Sequence, residues 1–411
     1  MDERSFYVPI ETKYVLKKLY KNNFSAYLVG GCIRDFLLNK NPKDFDIATS
    51  ALPNDIKKIF YKTVSIGIKH GTIIVIVNKK NIEITTFRID GNYKNFRKPD
   101  KVFFIDRLNQ DLARRDFTIN AMAYDFKNKK IIDLYDGKND IKKKIIRCVG
   151  NANERFKEDA LRMLRSLRFA MNLNFDIEKK TYRALKNNIE LIKFISYERI
   201  RDEFLKLISS RKLDKLYLIC DCEILKIISK DLYDYISKNL DYIKKNLSNL
   251  KDKKYIFLLI VLLKDLDKKK IIEILKLFKI DTKSIRLIKN IIEFINIKLA
   301  VKDNYYELKK IIFKLGFENL FILLDIQKDI FIDDFIYMKT ISKIKSIIKN
   351  KIKNECVFLK DMKLNGDDLK KINIKDKNIG FILNKLLDLC HKDNSFNDRC
   401  FMLNYVKNNF I

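Results

Sequence analysis

The feature that most constrains this chain is a glycine pair, Gly30-Gly31, between a short apolar run and an amphipathic segment. Tyr27 to Val29 predicts a strand, and Ile33 to Leu38 predicts a helix because its apolar residues recur at helical spacing. Glycines let the backbone approach a ligand closely and present its N–H groups. A helix that begins at such a turn favours phosphate, and Arg34 adds a bidentate cation. We therefore expect a phosphate-binding strand–turn–helix unit.

Two aspartates follow this unit as Asp44-Phe45-Asp46. On a strand, residues two apart share a face, so both carboxylates are expected to project side by side while Phe45 faces the core. Mg²⁺ would relieve their mutual repulsion and keep coordination positions for substrate phosphates. The pair is typical of nucleotidyl transfer with two metal ions about 3.5–4 Å apart. Taken alone, the motif also fits a solvated Asp-x-Asp turn.

A third carboxylate, Glu83, lies in a predicted strand from Ile82 to Phe87 that otherwise suits the protein interior. A charge in such a strand is a candidate catalytic group. An exposed strand position without a catalytic role fits the pattern equally well.

The charge of the chain indicates a polyanionic partner. Its 411 residues carry a formal charge of +32, which favours nucleic acid first and an anionic membrane surface second. No apolar run approaches membrane-spanning length. Seven cysteines without a metal-site spacing indicate reduced thiols, and the expected location is cytoplasmic.

The order of predicted elements indicates an α+β chain that becomes helical. Strands are predicted at 72–77, 82–87, 102–105 and 131–134, and the pattern is helical from about residue 137 onward. The segment 88–101 mixes glycine, proline, aromatic residues and cations, which predicts a mobile basic loop that closes over a nucleotide and an RNA end.

Two arginine-rich segments are candidates for nucleotide binding. Arg114-Arg115-Asp116, at the head of a predicted apolar helix, offers cations for a triphosphate and a carboxylate for a ribose hydroxyl. A capping aspartate with two surface arginines is the alternative. In a helix predicted over 155–171, four residues share a face and could read the edge of a base, or could form only internal salt bridges: Asp159, Arg162, Arg165 and Arg168.

These blocks, in this order, resemble the class II tRNA nucleotidyltransferases, which are the CCA-adding enzymes of the bacterial and eukaryotic type, with bacterial poly(A) polymerases as close relatives. The resemblance covers roughly residues 25 to 210. The motifs that carry it are Leu28-Val-Gly-Gly-Cys-Ile-Arg-Asp35, Asp44-x-Asp46, Arg114-Arg115-Asp116-Phe-Thr-Ile-Asn120-Ala-Met, Glu158-Asp159-x-x-Arg162 and Glu198-Arg199-Ile-x-x-Glu203.

The resemblance implies a role for each matching position. It makes Asp44 and Asp46 the metal-binding pair for Mg²⁺, while Glu83 is a catalytic candidate from the strand pattern alone. It implies that the glycine turn contacts the triphosphate and that Asp159 and Arg162 form the amino-acid template for C or A. The nucleotide-binding set implied is Gly30, Gly31, Arg34, Arg115, Asp116 near the ribose, Asp159, Arg162, Arg165 and Arg168.

The resemblance also implies the architecture and the partners. The expected parts are a nucleotidyltransferase head with a small mixed β-sheet over 1–137, a helical neck with the template helix over 138–210, a body over 211–300 and a tail over 301–411. The expected substrates are CTP, ATP and the acceptor arm and 3′ end of tRNA.

Several alternatives remain open within and beyond this resemblance. The 88–101 segment argues against an enzyme that adds only CC, but it leaves an A-adding enzyme open. Gly67-Ile-Lys-His-Gly71 is similar to the CCA type and differs from the basic segment usual in poly(A) polymerases. A non-catalytic RNA-binding scaffold is the alternative from another class, against which the intact Asp44/Asp46 pair speaks.

Overall fold

The computed structural model describes residues 6–91, 93, 94, 96, 98–251, 254–301 and 305–410. The chain divides into two compact units, one ending at Leu240 and one beginning at Asp241. The first unit contains the described strands as well as helices, and the second is helical. This arrangement confirms the predicted α+β fold with a helical C-terminal part. The finer division at 137, 210 and 300 stays a prediction.

The strands of the first unit form one large sheet and several small ladders. In chain order they are β1 Ala26–Val29, β2 Asp46–Thr49, β3 Thr63–Gly67, β4 Thr72–Val77, β5 Lys80–Thr86, β6 Arg88–Asp90, β7 Tyr93–Lys94, β8 Lys98–Pro99, β9 Val102–Phe104, β10 Met122–Asp125, β11 Lys130–Asp133, β12 Ile145–Ile146 and β13 Asp176–Ile177.

The large sheet is mixed and has 7 strands in the order β11-β10-β1-β2-β5-β4-β3. Strand β2 runs parallel to β5, and the other neighbouring pairs are antiparallel. The register places Asp46 opposite Val29, and it pairs Ile47 with Ile84. The end of β1, the beginning of β2 and the middle of β5 therefore meet at one place.

The helices of the first unit surround this sheet and continue beyond it. They are α1 Ile10–Lys21, α2 Gly31–Leu37, α3 Pro53–Ile59, α4 Leu108–Ala113, α5 Gly137–Lys143, α6 Ala152–Glu158, α7 Leu161–Leu173, α8 Lys179–Asn188, α9 Tyr197–Ile208, α10 Leu218–Asp221, α11 Ile224–Ile228 and α12 Lys230–Lys238.

The second unit is built from helices around apolar clusters, one of which centres on Leu369, Leu386 and Val406. None of the helices in the described ranges is both long and apolar enough to cross a membrane. The helices are α13 Leu240–Asn249, α14 Tyr255–Leu263, α15 Lys268–Leu277, α16 Thr282–Ile295, α17 Tyr306–Leu315, α18 Phe317–Ile330, α19 Phe335–Asn350, α20 Gly366–Lys371, α21 Asp376–Lys392 and α22 Arg399–Phe410.

The prediction of an apolar helix after residue 116 was wrong. Helix α4 ends at Ala113, so Arg114, Arg115 and Asp116 follow a helix instead of starting one. The apolar residues beyond them form the inner strand β10, in which Met122 and Ala123 are fully buried. A short apolar run buried on both faces lacks the alternation that separates a strand from a helix in sequence.

The prediction that 88–101 is a loop throughout was also wrong for the described residues. Strand β6 pairs with β9, and β7 pairs with β8, which gives two short antiparallel ladders. Asn92, Asn95 and Arg97 lie outside the described residues. Glycine and proline in and between these short strands are typical of turns, so the sequence predicted a loop instead of paired strands.

Candidate active site

The three predicted carboxylates lie around the beginning of strand β2. Asp46 is the first residue of β2, and Asp44 precedes the strand. Because β2 and β5 pair in parallel with Ile47 opposite Ile84, Glu83 occupies the neighbouring position on β5. The pairing of β2 with β5 thus brings Glu83 close to the two aspartates. The sequence alone could only suggest this grouping.

The environment of Asp46 makes its ionisation costly. Burial among protein atoms, followed by repulsion from Glu83 and a smaller repulsion from Asp44, raises its pKa from 3.8 to about 6, although Arg115 partly offsets this. Part of the side chain still faces open cavity space. Asp46 is therefore a carboxylate for which a nearby cation would be strongly favourable.

The donor set fits a hard divalent cation only with help from substrate. No group of three or more His, Cys, Asp or Glu side chains within the described ranges is arranged to hold a metal ion. Asp44, Asp46 and Glu83 supply oxygen ligands of the kind that Mg²⁺ prefers, and Mg²⁺ usually completes its shell with waters and substrate phosphates. The three side chains therefore offer an incomplete shell, which waters and substrate phosphates would complete.

The glycine turn lies against two arginines. Gly30 has φ +78° and ψ −134°, a conformation that is essentially confined to glycine. A Cβ added at Gly30 would stand 3.3 Å from Nη1 of Arg115, and one added at Gly31 would stand 3.3 Å from Nη2 of Arg34. Helix α2 has only 7 residues. The turn therefore offers a ligand two arginine side chains more than it offers a helix dipole.

If the turn holds the phosphates of a nucleotide, as the sequence predicts, replacing Gly30 with alanine is expected to weaken nucleotide binding about tenfold and to lower the free energy of unfolding by about 1–2 kcal/mol. The backbone strain lowers stability, and the added methyl group displaces Arg115. Calorimetric titration and urea unfolding measure the two effects. Gly380→Ala is the control, because a Cβ there meets nothing within 4 Å. Unchanged nucleotide affinity in Gly30→Ala would contradict the role of the turn.

Arg34 is held in place by its neighbours. Its Nε and Nη2 donate to Oδ1 of Asp35 at 3.0 and 2.8 Å, and its Nη1 donates to Oδ1 of Asn120 at 2.7 Å. The guanidinium also lies 5.3 Å from the ring centre of Phe169. These contacts fix the orientation of Arg34 beside the turn.

A cavity of about 390 Å³ connects the carboxylates with a cluster of cations. Asp46 and Glu83 lie in its wall, together with Asp116 and Asp159. This concentration of guanidinium groups fits a polyphosphate, whose oxygens accept bidentate hydrogen bonds. The arginines in the wall are Arg88, Arg114, Arg115, Arg162, Arg165 and Arg199.

The structure gathers most of the predicted nucleotide-binding residues at this cavity. Arg115, Asp116, Asp159, Arg162 and Arg165 all line it. The other predicted nucleotide-binding residues are outside its described wall, and these are Gly30, Gly31, Arg34 and Arg168. The predicted metal ligand Asp44 is also outside it.

Asp116 fixes the position of Arg165 in the cluster of arginines. Its Oδ2 accepts from Nε and Nη2 of Arg165 at 2.9 and 2.6 Å, while Oδ1 accepts from the backbone N–H of Phe117 and from Asn120. Burial opposes its ionisation, but Arg165 outweighs burial and lowers the pKa to about 2. Asp116 thus stays charged and holds Arg165 in the wall.

Asp159 and Arg162 do not share a helix face, contrary to the sequence prediction. Helix α6 ends at Glu158, and Asp159 is extended at the junction before α7 begins at Leu161. The junction escaped prediction because no glycine or proline marks it. Both side chains nevertheless reach the same cavity.

Each member of this pair has its own ionic partner. Asp159 accepts two hydrogen bonds from Arg199, at 3.3 and 2.8 Å. Arg162 donates to Oε2 of Glu158 at 2.6 Å and to the carbonyl oxygen of Arg114 at 3.0 Å. The hydrogen-bonding groups of Asp159 and Arg162 that were predicted to read a base are therefore engaged by separate partners.

No role in the site was predicted from the sequence for Arg199 and Glu203, although their motif carries part of the resemblance. Arg199 lines the cavity and pairs with Asp159. Glu203, which is buried, contacts Nε of Arg168 at 3.1 Å and Nη1 of Arg165 at 3.8 Å. The available signal was the motif Glu198-Arg199-Ile-x-x-Glu203, which is part of the resemblance.

Comparison with protein families gives two matches. Residues 26–147 match the model described as "Poly A polymerase head domain", and residues 174–236 match "Probable RNA and SrmB-binding site of polymerase A". The first match contains the glycine turn, the carboxylates and the Arg114-Arg115-Asp116 segment.

Similar curated proteins are named "CCA-adding enzyme". The one from Ligilactobacillus salivarius is 38% identical over 405 residues, which cover 96% of this chain and 95% of the relative. The one from Lactobacillus johnsonii is 40% identical over 317 residues, covering 76% and 77%. The match to the Lactobacillus delbrueckii subsp. bulgaricus protein is 52% identical over 193 residues and spans 48% of that relative, about half its length.

Solved structures show the same fold along nearly the whole chain. The Bacillus stearothermophilus CCA-adding enzyme in complex with CTP superposes with a TM-score of 0.77 at 26% identity, covering 97% of both chains. A Thermotoga maritima CCA-adding enzyme complexed with tRNA has a TM-score of 0.57 at 21% identity, which shows similarity of fold alone.

Proposed function

The chain belongs to the CCA-adding enzyme family, and on this premise we propose that it adds C, C and A to the 3′ end of tRNA from CTP and ATP. The observation that carries the proposal is the arginine-lined cavity that meets Asp46 and Glu83 in one wall. The cations fit a triphosphate, and the carboxylates lie where its α-phosphate can be placed for transfer. The solved relative described as a complex with CTP supports the nucleotide substrate, and the match of residues 174–236 to a probable RNA-binding site supports an RNA partner.

The proposed reaction joins the RNA 3′ oxygen to the α-phosphorus of the nucleotide. The bond from the α-phosphorus to the bridging oxygen breaks, and pyrophosphate leaves among the arginines, which neutralise its charge. In this proposal, Glu83 accepts the proton of the 3′ hydroxyl. Mg²⁺, held by Asp44 and Asp46, would polarise the phosphate oxygens and lower the pKa of the attacking hydroxyl when bound.

Base choice is assigned to Asp159 and Arg162. In the structure their hydrogen-bonding groups are directed at Arg199 and Glu158. A cytosine or adenine edge would take over part of these contacts, whereas uracil and guanine present donors and acceptors in mismatched positions. The roles of these two residues, and the cytoplasmic location, stay predictions.

Replacing Arg162 with alanine is expected to reduce discrimination between correct and incorrect bases about tenfold, with a smaller effect on tRNA affinity. Glu158 keeps its ion pair with Arg155, so the local fold is expected to persist. Single-nucleotide addition with each of the four nucleoside triphosphates measures discrimination. Lys157→Ala, which removes only an exposed ion pair with Glu154, is the control. A uniform loss of tRNA binding with unchanged base choice would argue against the template role.

The proposed activity is tested with three tRNA transcripts that end before CCA, after C and after CC. Each receives CTP, ATP or both, with Mg²⁺. Completion of CCA on all three establishes the proposed enzyme. Extension of only the CC-ended transcript by ATP would make it an A-adding enzyme, and long A tails would make it a poly(A) polymerase. RNA binding without any addition would leave only a scaffold.

A further inference from the structure

A second cavity, of about 920 Å³, also reaches the carboxylates. Asp44, Asp46 and Glu83 all lie in its wall, and Asp46 and Glu83 are shared with the arginine-lined cavity. A transferase with two substrates needs two binding spaces that meet at the reacting groups. The shared carboxylates mark the place where these two spaces meet.

The chemistry of the second cavity differs from that of the first. Its described wall contains no arginine, and its cations are lysines, among them Lys43 and Lys80. Lys80 is partly committed to Glu11, at 3.0 Å, so Lys43 is the more available charge. The described wall has three lysines (Lys40, Lys43 and Lys80) beside four carboxylates, so it suits a phosphodiester, which has one negative charge, better than a triphosphate.

Aromatic rings provide the second property of this cavity. Phe6 packs on Phe36 with ring centres 4.5 Å apart and on Phe45 at 6.2 Å, which makes a rigid apolar floor. Phe45 lines the cavity and is only half-buried, so the expectation that it faces the core was wrong. Tyr7, also in the wall, is 75% exposed. Exposed rings beside cations are the usual platform for single-stranded nucleic acid.

We propose that this second cavity binds the 3′-terminal nucleotide of the RNA acceptor, with Tyr7 and Phe45 contacting its base and Lys43 its phosphate. The inference rests on the proposed function, because it takes the arginine-lined cavity as the site of the nucleoside triphosphate. It assigns the acceptor end to residues of the first unit near Asp44, of which Tyr7 and Lys43 lie outside the motifs that carry the family resemblance.

The two cavities define how the RNA end and the nucleotide would approach each other. The terminal 3′ hydroxyl must approach Asp46 and Glu83 while the triphosphate lies among the arginines. A nucleotide seated on the aromatic floor can place its ribose at the shared carboxylates. After each addition, the new terminal nucleotide must move from the arginine-lined cavity to the aromatic one. The second cavity must therefore accept C as well as whichever base precedes CCA, and needs stacking more than base-specific hydrogen bonds.

Tyr7→Ala tests the proposal, with Tyr14→Ala as a matched control. Both tyrosines are exposed and each has a lysine near its ring, at 5.9 Å for Tyr7 and 5.7 Å for Tyr14, but only Tyr7 lines the cavity. With an acceptor-stem minihelix ending in CC, Tyr7→Ala should raise the KM for RNA roughly tenfold. The KM for ATP should change less than about twofold, and Tyr14→Ala should behave as the unmodified enzyme.

A second measurement locates the RNA end directly. A minihelix whose last nucleotide is 5-iodocytidine is irradiated with the enzyme, and the crosslinked peptide is identified by mass spectrometry. We expect the crosslink at Tyr7 or Phe45, and we expect Lys43→Ala to lower its yield.

Three results would overturn the assignment. These are a crosslink confined to the arginine-lined cavity, a KM change for ATP instead of RNA, or equal effects of Tyr7→Ala and Tyr14→Ala. In each of them normal addition by the unmodified enzyme would leave the proposed function intact. Absence of any addition by the unmodified enzyme would instead overturn the proposed function and this inference with it.

Discussion

Replacing Asp46 with asparagine is expected to lower the rate of nucleotide addition by roughly a thousandfold, since metal-assisted charge stabilisation contributes several kcal/mol to transfer. The amide keeps the size of the side chain but removes a charged ligand next to Glu83. Single-turnover addition of ATP to a CC-ended tRNA, with saturating Mg²⁺, measures the rate. Asp106→Asn is the control, because the Asp106 side chain is 89% exposed. Near-normal addition by Asp46→Asn would show that the metal site is elsewhere.

The same substitution is expected to leave stability without Mg²⁺ unchanged or slightly higher. The folded pKa of Asp46 is about 6, above its ordinary 3.8, so the folded state binds the extra proton. The charge therefore costs stability as pH rises from about 4 to 6, and this cost is removed in asparagine. Solvent screening limits the gain to about 1 kcal/mol or less.

A comparison of melting temperatures at pH 7.5 distinguishes the stabilisation by bound metal from the destabilisation by the Asp46 charge. In the unmodified protein, Mg²⁺ with a non-hydrolysable nucleotide should raise the melting temperature, because the cation binds only the folded state. This increase should be lost in Asp46→Asn and kept in Asp106→Asn. An Asp46→Asn protein that is strongly destabilised without metal would contradict the interpretation of Asp46 as a repelled carboxylate.

Replacing Asp116 with asparagine is expected to lower the free energy of unfolding of the protein by about 3 kcal/mol. The substitution removes the partner of Arg165 and leaves that guanidinium in a largely enclosed position, with Glu203 at 3.8 Å as its remaining counter-ion. Urea unfolding followed by circular dichroism measures the loss. Nucleotide binding should weaken as well, because Arg165 is then no longer held in the cavity wall.

The pH dependence of this stabilisation has a definite sign. The pKa of Asp116 is lowered from 3.8 to about 2, so its contribution is fully present above about pH 4 and is lost as pH falls toward 2. Asp116→Asn should therefore flatten the fall in stability over that range. An unchanged acid profile would contradict the assignment of the pKa to this ion pair.

Two further variants distinguish a buried pair from an exposed one. The double variant Asp116→Asn/Arg165→Met should recover part of the lost stability, because it no longer encloses an unpaired charge. Glu190→Gln, which breaks an ion pair whose side chains are both at least 60% exposed, should change stability by less than about 1 kcal/mol. Equal losses in Asp116→Asn and Glu190→Gln would mean that Asp116 has no special structural role.

Sequence patterns predicted the secondary structure correctly where interactions between neighbouring residues determine the conformation. The strand–turn–helix around Gly30 and Gly31 and the strand at 72–77 follow from residue spacing, and the structure has them as β1, α2 and β4. The α+β class followed from the change of pattern near residue 137. The predictions were wrong where packing decided the conformation, as in β10 and at the break before α7.

The sequence by itself determined which chemical groups are available and roughly where the backbone turns, because glycine conformation, apolar spacing and charge are properties of short segments. Only the tertiary structure decided which groups meet. Asp116 finds Arg165 across 49 residues and Asp159 finds Arg199 across 40, while sheet pairing sets Glu83 beside Asp46. Such pairings form when charged side chains from distant elements are buried together. The sequence alone does not show them, because each charged residue could pair with many residues of opposite charge elsewhere in the chain.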